Sequence, residues 1–147
     1  MMRKFNLREV KTRLERTKRE LPVALAKQAE GYFVDSFKKG ALSDKKWEEV
    51  QRRIPGTRAY KYPKRTGLSR RTSPILVRTG NLRHKTSNSI RDARWGMVRL
   101  VVDLPYAQVH NEGDGPIPAR PYMKHTDDLG RKQKTLIDTK MTEIWKA

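Results

Sequence analysis

The stretch spanning residues 76–122 constrains the fold more than any other part of this chain, because it alternates turn formers with short apolar runs at strand spacing. In order it carries Leu76-Val77-Arg78-Thr79-Gly80-Asn81-Leu82, then Ser89-Ile90, then an apolar run over 98–102. Pro105-Tyr106-Ala107 with His110 and Gly113 follow, and then Ile117-Pro118-Ala119-Arg120-Pro121-Tyr122. Val98, Leu100 and Val102 fall on one side of an extended chain, and Met97, Arg99 and Val101 on the other. Val is a good strand former, so the first set is expected to be a buried face. The more polar run 85–90 is read as the partner strand. Residues 92–96 then form the loop of a β-hairpin, with Gly96 supplying positive φ. A one-turn helix ending at Gly113 and a Pro-braced edge strand over 117–122 complete a small antiparallel sheet of three to five strands.

Helical spacing brackets this block. Leu7, Val10, Leu14 and Leu21 are three, four and seven apart among charged residues, which predicts an amphipathic helix over 6–21. Pro22 interrupts or kinks it. The stripe continues through Leu25, Ala29, Phe33 and Phe37 to a C-cap at Gly40. The expectation is one long N-terminal helix lying across the sheet, with residues 1–20 alternatively a flexible or partner-bound arm. Ser43 is read as the N-cap of a short helix presenting Trp47, Val50 or Gln51, and Ile54, with Trp47 as a core anchor. Near the end of the chain Thr126 caps a helix over 126–145, with Asp127 and Asp128 in its first turn and a stripe of Leu129, Gln133, Leu136, Ile137, Met141 and Ile144. The fold class is therefore α+β, in a single domain of 147 residues.

Charge is the strongest compositional signal. The net charge of +18 divides into +5 for residues 1–50, +13 for 51–100 and 0 for 101–147. Between residues 50 and 91 there are twelve Lys or Arg and no acid. Such a segment repels itself and calls for an anionic partner. Within it, residues 55–75 form a long basic loop with Tyr60 and Tyr62 interleaved among Arg58, Lys61, Lys64, Arg65, Arg70 and Arg71. These six, with Arg78 and Arg83, are the candidates for facing DNA or an acidic partner. No recognition helix stands out, so contact with nucleic acid is expected to be non-specific, through phosphates. Docking to an acidic protein ring and simple solubility remain the alternatives.

Only 35% of residues are hydrophobic, a lean share for this length, so part of the chain is expected to find order against another subunit. The absence of Cys excludes disulfides and thiolate metal sites. No window is apolar enough for a membrane span, and the N-terminus lacks a signal-peptide core, which predicts a soluble, unexported protein. The nearest approach to a metal or nuclease cluster is His110 with Glu112 and Asp114, around a Gly-rich turn. No phosphate-binding Gly loop or nucleophile elbow is present, so catalysis, and with it any cofactor, is not expected. His110 reads instead as a polar contact at the end of a short helix. Arg120 projects from the edge strand, either pairing with a neighbour's carboxylate or covering its own sheet.

Taken together, Leu76, Arg78, Thr79, Gly80 and Leu82, then Ser89-Ile90, then Tyr106, Ala107, His110 and Gly113, and finally Ile117-Pro118-Ala119-Arg120-Pro121-Tyr122, resemble the virion-morphogenesis (tail-completion) family of tailed bacteriophages, itself related in fold to minor-tail and tail-terminator proteins. Trp47, after the helix-ending Gly40, also fits, and the resemblance covers residues 30–123, with Ile117 to Tyr122 its most specific segment. The long basic loop and Glu112 depart from the family's pattern. The resemblance implies a structural, non-enzymatic virion protein at the head–tail junction or tail end. It would assemble as a homo-oligomeric ring, a hexamer, against tail-tube and neck or portal-side proteins; the placement of charge, apart from the resemblance, then points its cations toward the genomic DNA. Tyr106, His110, Arg120 and Tyr122 are then the candidate subunit-interface residues. The rival reading is a free, small basic nucleic-acid-binding protein of ribosomal type.

Overall fold

The computed structural model describes residues 5–62 and 72–146. They fall into two compact units: residues up to 32 with 89–101 and 125–146, and residues 33–88 with 102–124. The architecture is α+β, as the hydrophobic patterning predicts, but the strands form two separate two-stranded antiparallel hairpins in place of one sheet of three to five strands. Helix α1 (Leu7–Lys39) runs through both units and keeps Pro22 in its interior.

In the first unit α1 pairs with the C-terminal helix, α5 (Asp127–Trp145). Asn6 starts α1 by accepting from the amide of Arg8 at 3.1 Å. Thr126 starts α5 by accepting from the amide of Leu129 at 3.2 Å, with Asp127 and Asp128 favourably placed at the positive end of the dipole. The pair is antiparallel: Arg13 donates to the carbonyl of Lys146, Gln28 to that of Lys132 at 3.4 Å, and Tyr32 shares a hydrogen bond with Thr126 at 2.8 Å. Leu21, Ala26 and Ala29 of α1 and Leu129 and Ile144 of α5 are buried, and so is Thr17. Residues 13–20 therefore belong to a helical pair.

The hairpin of this unit joins β3 (Ile90–Arg94) to β4 (Met97–Leu100). Its two-residue turn, Trp95-Gly96, has Gly96 at φ +85°, the geometry that matches strand twist. The first strand thus starts where the predicted one ends. Residues 85–90 were expected to be extended, but Lys85 and Thr86 belong to helix α3 (Asn81–Thr86) in the second unit. Leu82 and Thr86, four apart, are both buried there, and the Thr86 hydroxyl donates to the Leu82 carbonyl at 2.8 Å. The apolar face of β4 is also less covered than its alternation implies. Val98 is 38% exposed and Leu100 half-buried, because a lone two-stranded ribbon has no third strand to shelter it.

The second unit holds the aromatic core. Gly40, at φ +61°, ends α1 and leads into β1 (Ala41–Leu42), which turns back through Ser43 at φ +56° into β2 (Lys45–Lys46). Ser43 is thus a turn residue, not the helix cap expected of it; between Ser43 and Thr57 the helical backbone is a 3₁₀ turn at Gln51–Arg53. The hairpin buries Ala41 and Leu42 and brings Trp47 back to Phe37, ring centroids 5.8 Å apart and edge-on. Tyr122 lies 5.3 Å from Phe37. Ile75, Leu82 and Ala107 complete this cluster. A short helix α2 (Arg58–Lys61) is capped by Thr57, which accepts from the amide of Tyr60. Helix α4 (Ala107–Glu112) ends at Gly113.

Residues 117–122 are not an edge strand. Beyond one bridge between Asp114 and Ile117 they run as an irregular segment in which Arg120 and Tyr122 are buried. Pro118 and Pro121 have no amide proton to offer a ladder, the Ile117 amide donates to the Asp114 carbonyl at 2.9 Å, and α4 accepts from three amides further on. The Arg120 amide donates to the His110 carbonyl at 2.9 Å, and the amides of Tyr122 and Met123 both donate to Asn111 Oδ1 at 3.1 Å.

Candidate functional site

One cleft of about 450 Å³ lies within the second unit. Four segments far apart in sequence line it: Val50 and Arg52, residues 76–82, Tyr106 with His110, and Arg120. Each segment is held by backbone chemistry already visible locally. Gly80 takes φ +79° to open α3, and Leu76 takes φ +61°, a conformation that branched and bulky residues rarely adopt and that marks stored strain. Arg52 donates to the carbonyls of Ser73 and Pro74 at 3.2 and 3.3 Å, and Arg53 to Ser73 at 2.6 Å. Two of the twelve cations between 50 and 91 thus clamp the chain's own backbone.

Asn111 is the second clamp. Besides accepting from Tyr122 and Met123, its Nδ2 donates to the Met123 carbonyl at 3.2 Å. This three-bond clip fixes the 120–123 segment on α4, and with it Arg120 beside His110. Sequence reasoning passed over Asn111, read Val50 only as a helix-face residue and counted Arg52 only within the basic run. The only available signal was an amide side chain one residue before the end of a short helix, which by itself says nothing about a partner eleven residues on.

The electrostatics of the cleft follow from burial. His110 is half-buried, its Nδ1 is enclosed and has no hydrogen-bond partner, and the Tyr106 ring meets its edge at 5.8 Å. Burial, and then the nearby charge of Arg120, hold its pKa below the ordinary histidine value, so the imidazole is neutral near pH 7. Arg120 is only 8% exposed and its Nε donates to the Glu48 carbonyl at 2.9 Å. Burial pushes the Tyr122 hydroxyl up to about 12, so it stays a donor, to the Ala107 carbonyl at 3.3 Å.

Of the four residues expected at a subunit interface, Tyr106 and His110 line the cleft. Arg120 contributes to its wall but is buried, and Tyr122, 2% exposed, is internal. Neither projects from an edge strand, and each makes hydrogen bonds within its own unit. Arg78 is exposed at the cleft, Arg83 is half-buried on α3, and Arg58 and Lys61 are exposed on α2. Lys64, Arg65, Arg70 and Arg71 lie outside the described residues.

The cleft combines a neutral imidazole, a phenol, three guanidiniums (Arg52, Arg78 and Arg120) and an apolar lining from Val50, Leu76, Val77 and Leu82. Among the described residues no acidic side chain lines it and no three His, Asp or Glu gather as a metal site. Glu112 instead accepts from Gln108 at 3.1 Å, and the Asp114 backbone pairs with Ile117. Its apolar and cationic lining, with Arg78 exposed, suits the binding of a protein segment that carries a carboxylate. Among the described residues no helix is long and apolar enough to cross a membrane. Comparison of the chain with family models, with curated proteins and with solved structures returns no match.

Proposed function

We propose that this chain is a structural, non-enzymatic subunit of a tailed-phage virion, acting at the head–tail junction or tail end. In this reading it assembles as a homo-oligomeric ring, a hexamer, between tail-tube and neck or portal-side proteins, and turns its cations toward the genomic DNA. The observation that carries the reading is a convergence. Leu76, Arg78, Thr79, Gly80, Leu82, Tyr106, His110 and Arg120, which carry the resemblance to the virion-morphogenesis family from three separate stretches of sequence, line a single cleft. A cleft with an apolar lining and an exposed guanidinium is suited to receive a segment of a neighbouring subunit. The run of twelve cations without an acid supports the DNA-facing part, because a ring of such subunits needs a polyanion nearby.

Light scattering at low and high salt, with electron microscopy of the same samples, tests the assembly. Rings of uniform size, lost in Tyr106→Ala while the circular dichroism of the chain is kept, are the expected result. A compact monomer under all conditions sinks the ring reading. If that monomer binds nucleic acid with steep salt dependence, the free nucleic-acid-binding protein replaces it.

A further inference from the structure

The β3–β4 ribbon belongs to the unit that does not contain the cleft, and the motifs discussed so far leave its outer surface unexplained. Strand pairing of Arg94 with Met97 and of Asp92 with Arg99 places these four side chains on one face. Arg94, Met97 and Arg99 are exposed, and Trp95 at the turn is 54% exposed in a chain with few apolar residues to spare. Arg91, at the bulge between Ile90 and Asp92, is exposed as well. The single carboxylate, Asp92, lies 3.2 Å from Arg94. The ribbon therefore carries three guanidiniums against one acid, with an indole at its tip.

We infer that the β3–β4 ribbon is a nucleic-acid contact in which Arg91, Arg94 and Arg99 meet phosphates and Trp95 stacks on an unpaired base. Charge selects this occupant: a second copy, itself at +18, would bring like charge to a cationic surface, whereas a phosphodiester chain neutralises it. The indole selects single-stranded over duplex nucleic acid, because a stacked base offers its face to an aromatic ring only once it has left its partner. A two-stranded ribbon is also narrow enough to follow a strand's backbone. The inference does not depend on ring assembly.

The test uses the full chain and a labelled oligothymidylate, followed by anisotropy across a salt series, beside a duplex of the same length. Replacing Arg91, Arg94 and Arg99 with Gln together should make the plot of log affinity against log salt shallower by about 2. Trp95→Ala should weaken oligothymidylate binding about 5- to 100-fold and leave duplex binding nearly unchanged. Trp95→Phe, which keeps a stacking ring, should restore most of that loss. Arg58→Gln with Lys61→Gln reports on the basic loop separately. If the loop variants weaken binding while the ribbon variants bind like the parent, the ribbon inference is overturned and the DNA-facing part of the proposed function stands. If the ribbon variants alone weaken binding, the ribbon inference holds and the loop's part fails. Binding of the ribbon to vesicles rich in phosphatidylserine, with none to oligothymidylate, would replace it with a membrane-surface role.

Discussion

The two units of this molecule are built on different principles. The second is organised by shape: three aromatic rings, Phe37, Trp47 and Tyr122, meet in its core, and the polar groups that enter with them are each given a specific partner. The first is organised by capping and charge along two antiparallel helices, with small buried residues such as Ala26, Ala29 and Thr17 and many exposed ion pairs. Exposed pairs contribute little to stability, whereas a buried aromatic cluster contributes several kcal/mol. The cation-loaded chain thus concentrates its limited apolar material where the cleft must be shaped, and leaves the helical pair and ribbon more thinly supported.

The largest test of this contrast is Trp47→Ala. Trp47 is buried, stands edge-on to Phe37 and donates from its indole to the Pro121 carbonyl at 2.7 Å. Its removal should cost about 3–5 kcal/mol. Hydrogen exchange should show protection lost throughout the second unit; an equal loss confined to the helical pair would contradict the division. Gly113→Ala comes next. Gly113 sits at φ +82°, ψ 160°, where only Gly is comfortable, and a Cβ there would lie 2.9 Å from the Ala119 nitrogen. We expect a loss of about 1–3 kcal/mol in thermal or denaturant unfolding, because backbone on the facing segment cannot yield.

In the first unit, Thr126→Ala removes the cap of α5 and the partner of the Tyr32 hydroxyl. A loss of about 1 kcal/mol, read as faster exchange in the first turn of α5, is expected; no change in exchange there would mean the helical pair is held by something other than its caps.

The smallest effects are pH-dependent and separate the units by range. His110 has a folded pKa below its ordinary value, through burial and then Arg120. As pH falls through about 6.5 the unfolded chain takes up a proton that the folded chain resists, so stability of the second unit declines there. His110→Gln should flatten that decline. In the first unit the hydrogen bond from Lys132 holds Asp128 below the ordinary carboxylate value, and the one from Arg16 does the same for Glu20. Those contributions are present above the ordinary carboxylate pKa and fade as pH drops through the lower folded values. A helical pair that loosened already between pH 7 and 5 would break this assignment.

Several of these features were legible before any coordinates. The 3–4 spacing of Leu21, Leu25, Ala29, Phe33 and Phe37, the stop at Gly40, the Thr126 cap and the Gly96 turn all depend on interactions within a few residues, and all are where the sequence places them. The misplacements share a cause. Residues 85–86 and 117–122 were assigned strands because their composition tolerates strands, but Thr86 is buried in a helix and Arg120 through Met123 are tied down by α4. Asn111, which does the tying, has no local pattern to announce it.

By itself, the order of residues determined the two long helices, the Gly40 stop and the Thr126 cap, the Gly96 turn, the α+β class and the concentration of cations in the middle of the chain, since periodicity, capping and charge are properties of neighbouring residues. Only the tertiary structure decided which residues share the cleft, that Arg120 and Tyr122 face inward, that Arg52 and Arg53 hold backbone carbonyls, and that the ribbon keeps Trp95 in the open. Burial and hydrogen-bond satisfaction are settled by groups that meet from distant parts of the chain. Their outcome depends on which donors and apolar surfaces are left over once every local element has formed.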